Sequence, residues 1–151
     1  MNRPAVYFSP RGGATAAIVA AVDAARHEVL CQAYSFTSAP VAKALIDAAR
    51  RKVDVRLIVD GNQATGVGTV IQYVARAGVP VWRDSAHAIA HSKIIVVDGV
   101  KTISGSFNFS AAAETSNAEN LLILTDHATA ALYRANWLAH VGHSTPVAVI
   151  P

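Results

Sequence analysis

Two short runs, Val29–Tyr34 and Val53–Val59, do most to narrow what this chain can fold into. Each is the length of a strand and sets apolar residues at adjacent as well as alternate positions. Val29–Tyr34 reads as a buried strand, and Val53–Val59 as a strand of the apolar type found in parallel sheets. Between them, Val41–Lys52 places Ala44, Leu45, Ala48 and Ala49 at helical spacing, and Thr37-Ser38-Ala39-Pro40 ahead of it offers an N-cap and a proline for the first turn. The alternation continues outward. Ala5–Ser9 reads as a strand, Pro10-Arg11-Gly12-Gly13 as a turn, and Ala14–His27 as a helix with Ile18, Val19, Val22 and Ala25 on one stripe. Gly61–Gly68 is a loop, Thr69–Ala77 a helix stopped by Gly78, and Val79–Trp82 a strand.

The second half changes character. Lys93–Val97 and Val100–Ser104 are β-rich runs around Asp98-Gly99, a hairpin signal. Ser110–Thr115 reads as a short helix, Glu119–Leu124 as a strand, and Asp126–Val141 as a closing helix stopped by Gly142. With 151 residues, no internal repeat and no dividing linker, the expectation is one α/β domain over residues 1–151, a mixed β-sheet flanked by helices on both faces.

Composition closes off other classes. At 52% hydrophobic and 15% charged, the chain is neither disordered nor low-complexity. Its single cysteine, Cys31, excludes an internal disulfide and a cysteine-based zinc site. No apolar run approaches the length of a membrane span. Residues 1–13 lack a basic stretch followed by an apolar one, so no export signal is expected there. The compartment stays open: periplasmic or secreted if such a signal was removed, cytoplasmic otherwise. A net charge of +3 and a pI near 9.3 are compatible with a polyanionic partner. The one basic run, Arg50-Arg51-Lys52, reads as a solvated helix end.

Familiar catalytic signatures are missing. Gly61 to Gly68 has no following Lys-Ser/Thr, so it is not a Walker A loop, and there is no Gly-x-Ser-x-Gly elbow. Of the six histidines, His140 and His143 stand three apart on the closing helix but lack a third partner nearby in sequence. His87 and His91 are four apart on a segment entering a strand, where that spacing does not converge. No metal site is expected.

The chemistry concentrates between His91 and Asn120. His91 and Lys93, two apart at the mouth of a strand, are expected on one face, about 6.7 Å apart along the backbone. An imidazole that attacks or shuttles protons near neutral pH, beside an ammonium that neutralises nonbridging oxygens, makes a phosphate site. In Ser104-Gly105-Ser106-Phe107-Asn108-Phe109-Ser110, the polar Ser104, Ser106, Asn108 and Ser110 alternate with core-facing Phe107 and Phe109. Ser106 and Asn108 thereby become candidate donors to phosphate oxygens. Glu119 opens an apolar strand, either exposed at its end or placed to orient an imidazole.

Taken together, His91-Ser92-Lys93, four residues, Asp98, six residues, Gly105-Ser106 and then Asn108 resemble the HKD motif of the phospholipase D superfamily. Val6-Tyr7-Phe8-Ser9-Pro10, Ala33-Tyr34-Ser35-Phe36-Thr37 and Ala112-Ala113-Glu114-Thr115 through Asn120 are similar to the small bacterial endonucleases of that superfamily. The resemblance implies a phospholipase D-like fold and a metal-independent phosphodiesterase without cofactor. His91 would be the nucleophile that forms a phosphohistidine, Lys93 would neutralise phosphate charge, and Asn108 would hydrogen-bond the phosphate, with Ser106 supporting. Glu119 would bond His91 Nδ1. Asp98, already explained by its turn, would be structural support, and Ser92 would point away and pack. With one motif per chain, a second His91 would come from a twin subunit on a two-fold axis. The implied substrate is nucleic acid, DNA and possibly RNA, cut without sequence preference. A lipid phosphodiesterase of the cardiolipin type is the alternative, and a catalytically dead nucleic-acid-binding module a third reading.

Overall fold

The structure, a computed structural model, describes residues 3–63 and 65–151. Ala64, in the expected 61–68 loop, and residues 1 and 2 of the segment read for an export signal lie outside the described residues. The element order is β1 (Ala5–Phe8), α1 (Ala14–Asp23), β2 (Glu28–Ala33), α2 (Ala39–Arg50), β3 (Asp54–Asp60), α3 (Val70–Arg76), β4 (Val81–Asp84), β5 (Ile94–Val97), β6 (Lys101–Gly105), α4 (Ala111–Thr115), β7 (Asn120–Thr125), α5 (His127–Gly142) and β8 (Thr145–Pro146). Each expected element is present, and β8, a two-residue edge strand beside β4, is additional.

One mixed sheet runs in the order β1-β7-β6-β5-β2-β3-β4-β8. Strands β2, β3 and β4 are parallel, and the other pairings are antiparallel. The apolar pattern of the two opening runs now has its cause. On one face Val29, Cys31, Val55, Leu57 and Val59 meet α1, α2 and α3 in the larger core. On the other, Leu30 and Ile58 join Ile94, Val96, Ala130 and Trp137 beneath α5. Trp137 is fully buried, donates its Nε1–H to the Cys31 carbonyl at 2.9 Å, and meets Trp82 edge-on at 6.0 Å. Losing such an anchor costs about 3–5 kcal/mol.

Helix starts follow from local chemistry. Ser38, Thr69, Ser110 and Asp126 each accept a hydrogen bond from a first-turn amide, satisfying a donor the helix cannot. Ser110, expected on the polar face of the 104–110 run, is thus spent on capping α4. Strand β6 stops at Gly105, yet Phe107 and Phe109 still enter the larger core as expected. The β5–β6 hairpin turns at Asp98 and Gly99, with φ of 54° and 63°, and the Val100 amide bonds the Val97 carbonyl at 3.0 Å. Both left-handed residues suit the primed turn whose twist matches its strands.

Candidate active site

The sheet brings four chain segments to one of its edges. Because β5 runs antiparallel to β2, its start lies at the carboxyl end of β2; the end of β6 and the start of β7 reach the same edge. Ligands in open α/β sheets bind beyond the carboxyl ends of the parallel strands. An open cleft of ≈ 530 Å³ lies here, lined by His91, Ser92, Lys93, Ile94, Ser104, Gly105, Ser106, Asn108, Glu119 and Tyr133. It gathers His91, Lys93, Ser106, Asn108 and Glu119, every proposed reactive or phosphate-binding side chain. Asp98 is at the far end of β5.

Lys93 is buried, at 7% exposure, with its Nζ donating to the His91 carbonyl at 2.7 Å and lying 5.3 Å from the centre of the Tyr34 ring. Burial pushes its pKa below the ordinary lysine value, and the Glu119 carboxylate opposes that shift. A phosphate anion in the cleft would favour the charged form again. His91 is exposed and rests edge-on against Tyr34, with ring centres 4.5 Å apart. Among the described residues no hydrogen bond reaches its ring, so both nitrogens are open to a substrate or a partner group. The Asn108 Oδ1 is buried without a hydrogen-bond partner among the described residues.

Ser106 is the hub of the β6–β7 side. Its Oγ donates to Glu119 Oε1 at 3.3 Å and accepts the Asn120 amide at 3.0 Å. Ser9 fixes the same corner by donating to the Asn117 carbonyl at 2.8 Å and accepting the Glu119 amide at 2.9 Å. Gly105 is required here. It sits at φ 144°, and a Cβ would collide with the Asn120 carbonyl oxygen.

Three expectations need correction. Residues 91–93 precede β5 and are not part of a strand, so Ser92 is exposed on the cleft wall and does not pack away from it. The Glu119 carboxylate engages Ser106 in place of His91 Nδ1. His87, His140 and His143, set apart by their sequence positions, converge on Asp84, because α5 ends beside the loop after β4. Sequence reasoning also missed Tyr34 and Tyr133. The available signal for Tyr34 was its place directly after β2, at the carboxyl end of a central parallel strand.

The model of the family described as "Cardiolipin synthase, PLD-like domain" matches residues 18–140, most of the chain. The chain belongs to the phospholipase D superfamily. It is 39% identical over 131 residues to a phospholipase D of Rickettsia felis, an alignment covering 87% of this chain and 66% of that protein. It is 38% identical over 109 residues to the mitochondrial cardiolipin hydrolase of Xenopus laevis, covering 72% of this chain and 51% of that one. The crystal structure of a phospholipase D family member, Nuc from Salmonella typhimurium, superposes with a TM-score of 0.88 at 36% identity, covering 95% of this chain and 97% of that chain. This superfamily member therefore spans about two-thirds of the length of its Rickettsia relative, and the fold expectation of a single mixed sheet with flanking helices is borne out.

Proposed function

We propose that this chain is a phosphodiesterase that cleaves nucleic acid without sequence preference, through a covalent phosphohistidine on His91. The observation that carries the reading is the meeting in one cleft at the sheet edge of the His91 imidazole, with no hydrogen bond to its ring among the described residues, the desolvated Lys93 ammonium and the Asn108 amide. In the first step His91 Nε2 attacks phosphorus and the bond to the leaving oxygen breaks, that oxygen taking a proton from a second imidazole. In the second step water attacks phosphorus, gives its proton to the second imidazole, and His91 is released. Lys93 Nζ and the Asn108 Nδ2–H hold the nonbridging oxygens as charge builds on them, and Ser106, its O–H given to Glu119, supports that side of the cleft.

The second imidazole is assigned to His91 of a twin chain. Among the described residues lining the cleft, His91 is the one histidine. Beside the cleft, Val6 and Phe8 on β1 pair with the start of β7, leaving Val6, Phe8 and Leu122 exposed at 51%, 67% and 37%. This uncovered apolar strip, continuous with Glu119 and Asn120, is the surface a twin would cover. Phe8→Glu is expected to yield a folded monomer without turnover. A fully active monomer would contradict the shared site.

Nucleic acid is favoured by the net charge of +3 and an open cleft at the sheet edge. The likeness to a cardiolipin hydrolase supports a second reading, a lipid phosphodiester, for which the same strip would meet acyl chains. The test incubates wild type and His91→Ala with plasmid DNA, single-stranded RNA and cardiolipin vesicles, at low salt. Nucleic-acid degradation by wild type, about 10⁴-fold or more faster than by His91→Ala, is expected. Cleavage of the vesicles alone would select the lipid reading, and equal activity of the variant would remove His91 from the mechanism.

A further inference from the structure

A second cluster of reactive groups lies at the same sheet edge, outside the cleft. Asp84 ends β4 and is fully buried. Its Oδ2 meets His140 Nδ1 at 2.8 Å and His143 Nε2 at 3.1 Å, and its Oδ1 meets His87 Nδ1 at 3.2 Å. The three imidazoles form a near-equilateral triangle, with ring centres 5.2, 5.1 and 5.2 Å apart. The four ligating atoms all lie within 4.8 Å of one another.

From this geometry we propose that Asp84, His87, His140 and His143 form a binding site for a divalent cation of the zinc type. Donors bound at 2.0–2.1 Å in a tetrahedron stand about 3.3 Å from one another, close to the spacings around Asp84. Three imidazoles and one carboxylate are a donor set for zinc and its late transition-metal neighbours; magnesium and calcium prefer oxygen. A cation here also lies at the carboxyl end of α5, where the helix dipole favours positive charge. The way in is open, since His87 and His143 are 45% and 39% exposed.

The position suggests the role. None of the four residues lines the cleft, but His87 sits in the 85–93 segment that carries His91 to it. That segment is already held by buried carboxylates, the Ala90 amide donating to Asp60 at 2.6 Å and the Ala86 amide to Asp84 at 3.0 Å. A cation would add a clasp between this segment and the end of α5.

The test is calorimetric titration of the 151-residue chain, stripped with chelator and then freed of it, with zinc chloride and with magnesium chloride. One zinc per chain is expected, with a raised melting temperature and no saturable magnesium binding. His91→Ala should bind as wild type does. Binding and the thermal shift should both be lost in His140→Ala/His143→Ala, and in His87→Asn, an exposed position kept as a second variant in case the first does not fold. No saturable zinc binding, undiminished binding in the folded variants, or magnesium binding as tightly as zinc would each overturn the proposal.

Discussion

The two ends of β5 carry the two halves of one sequence motif, and they are built in opposite ways. At the turn end, Asp98 is satisfied: its Oδ2 accepts the Arg26 amide at 2.9 Å, and its Oδ1 accepts those of His27 and Glu28 at 2.7 and 2.9 Å. Burial alone would raise its pKa, but the amides of Glu28, Arg26 and His27 outweigh it and hold the carboxyl below its ordinary value. At the cleft end, by contrast, among the described residues nothing bonds the His91 ring or the Asn108 Oδ1, and burial pushes the Lys93 pKa down. Asp98 is saturated by the fold, whereas the His91 ring at the cleft is left open for a ligand.

That contrast can be broken most severely at Lys93. We expect Lys93→Gln to lower kcat by about 10²–10³-fold, the cost of one donor to developing charge. Its melting temperature should hold or rise, since a desolvated charge is removed; unfolding alongside the rate loss would make Lys93 structural. A smaller effect is expected at Glu119. Glu119→Gln should slow turnover about tenfold, the worth of one charge-assisted contact. Because Glu119 raises the Lys93 pKa, its loss should move the alkaline limb of the pH–rate profile to lower pH. An unmoved profile would leave Glu119 with only its Ser106 contact. The smallest effect on rate belongs to Asp98. Asp98→Asn keeps a residue tolerant of the left-handed turn and should leave kcat unchanged while costing about 1 kcal/mol of stability. A depressed carboxyl pKa stabilises the fold above the unfolded value and stops doing so as pH falls through the folded one. The variant and wild type should therefore converge in stability below about pH 4, and a constant gap in urea melts across pH would refute that assignment.

Much of this was legible in the residues because periodicity and caps are local. The run at Val29 implied a buried strand and that at Val53 a parallel one, Asp98-Gly99 implied the hairpin, and Ser38 and Asp126 marked helix starts that the structure confirms. What stayed hidden depends on which distant segments meet. Strand β1 pairs with β7 at the sheet's margin, over a hundred residues away. Tyr34 touches His91 only because β2 and β5 are neighbours. The Asp84 cluster spans β4, a loop and the last turn of α5, so neither His87 nor the pair at 140 and 143 advertises its partners. The Glu119 contact was misassigned because a strand-end carboxylate has several partners within reach, and spacing does not choose among them.

The measurement that bears most directly on the central claim is chemical trapping of the enzyme during turnover. Wild-type protein mixed with a phosphate-labelled oligonucleotide and quenched rapidly should carry label that survives base, is lost in acid, and maps to His91. His91→Ala should carry none. Turnover without covalent label, or label on any other residue, would contradict the phosphohistidine mechanism.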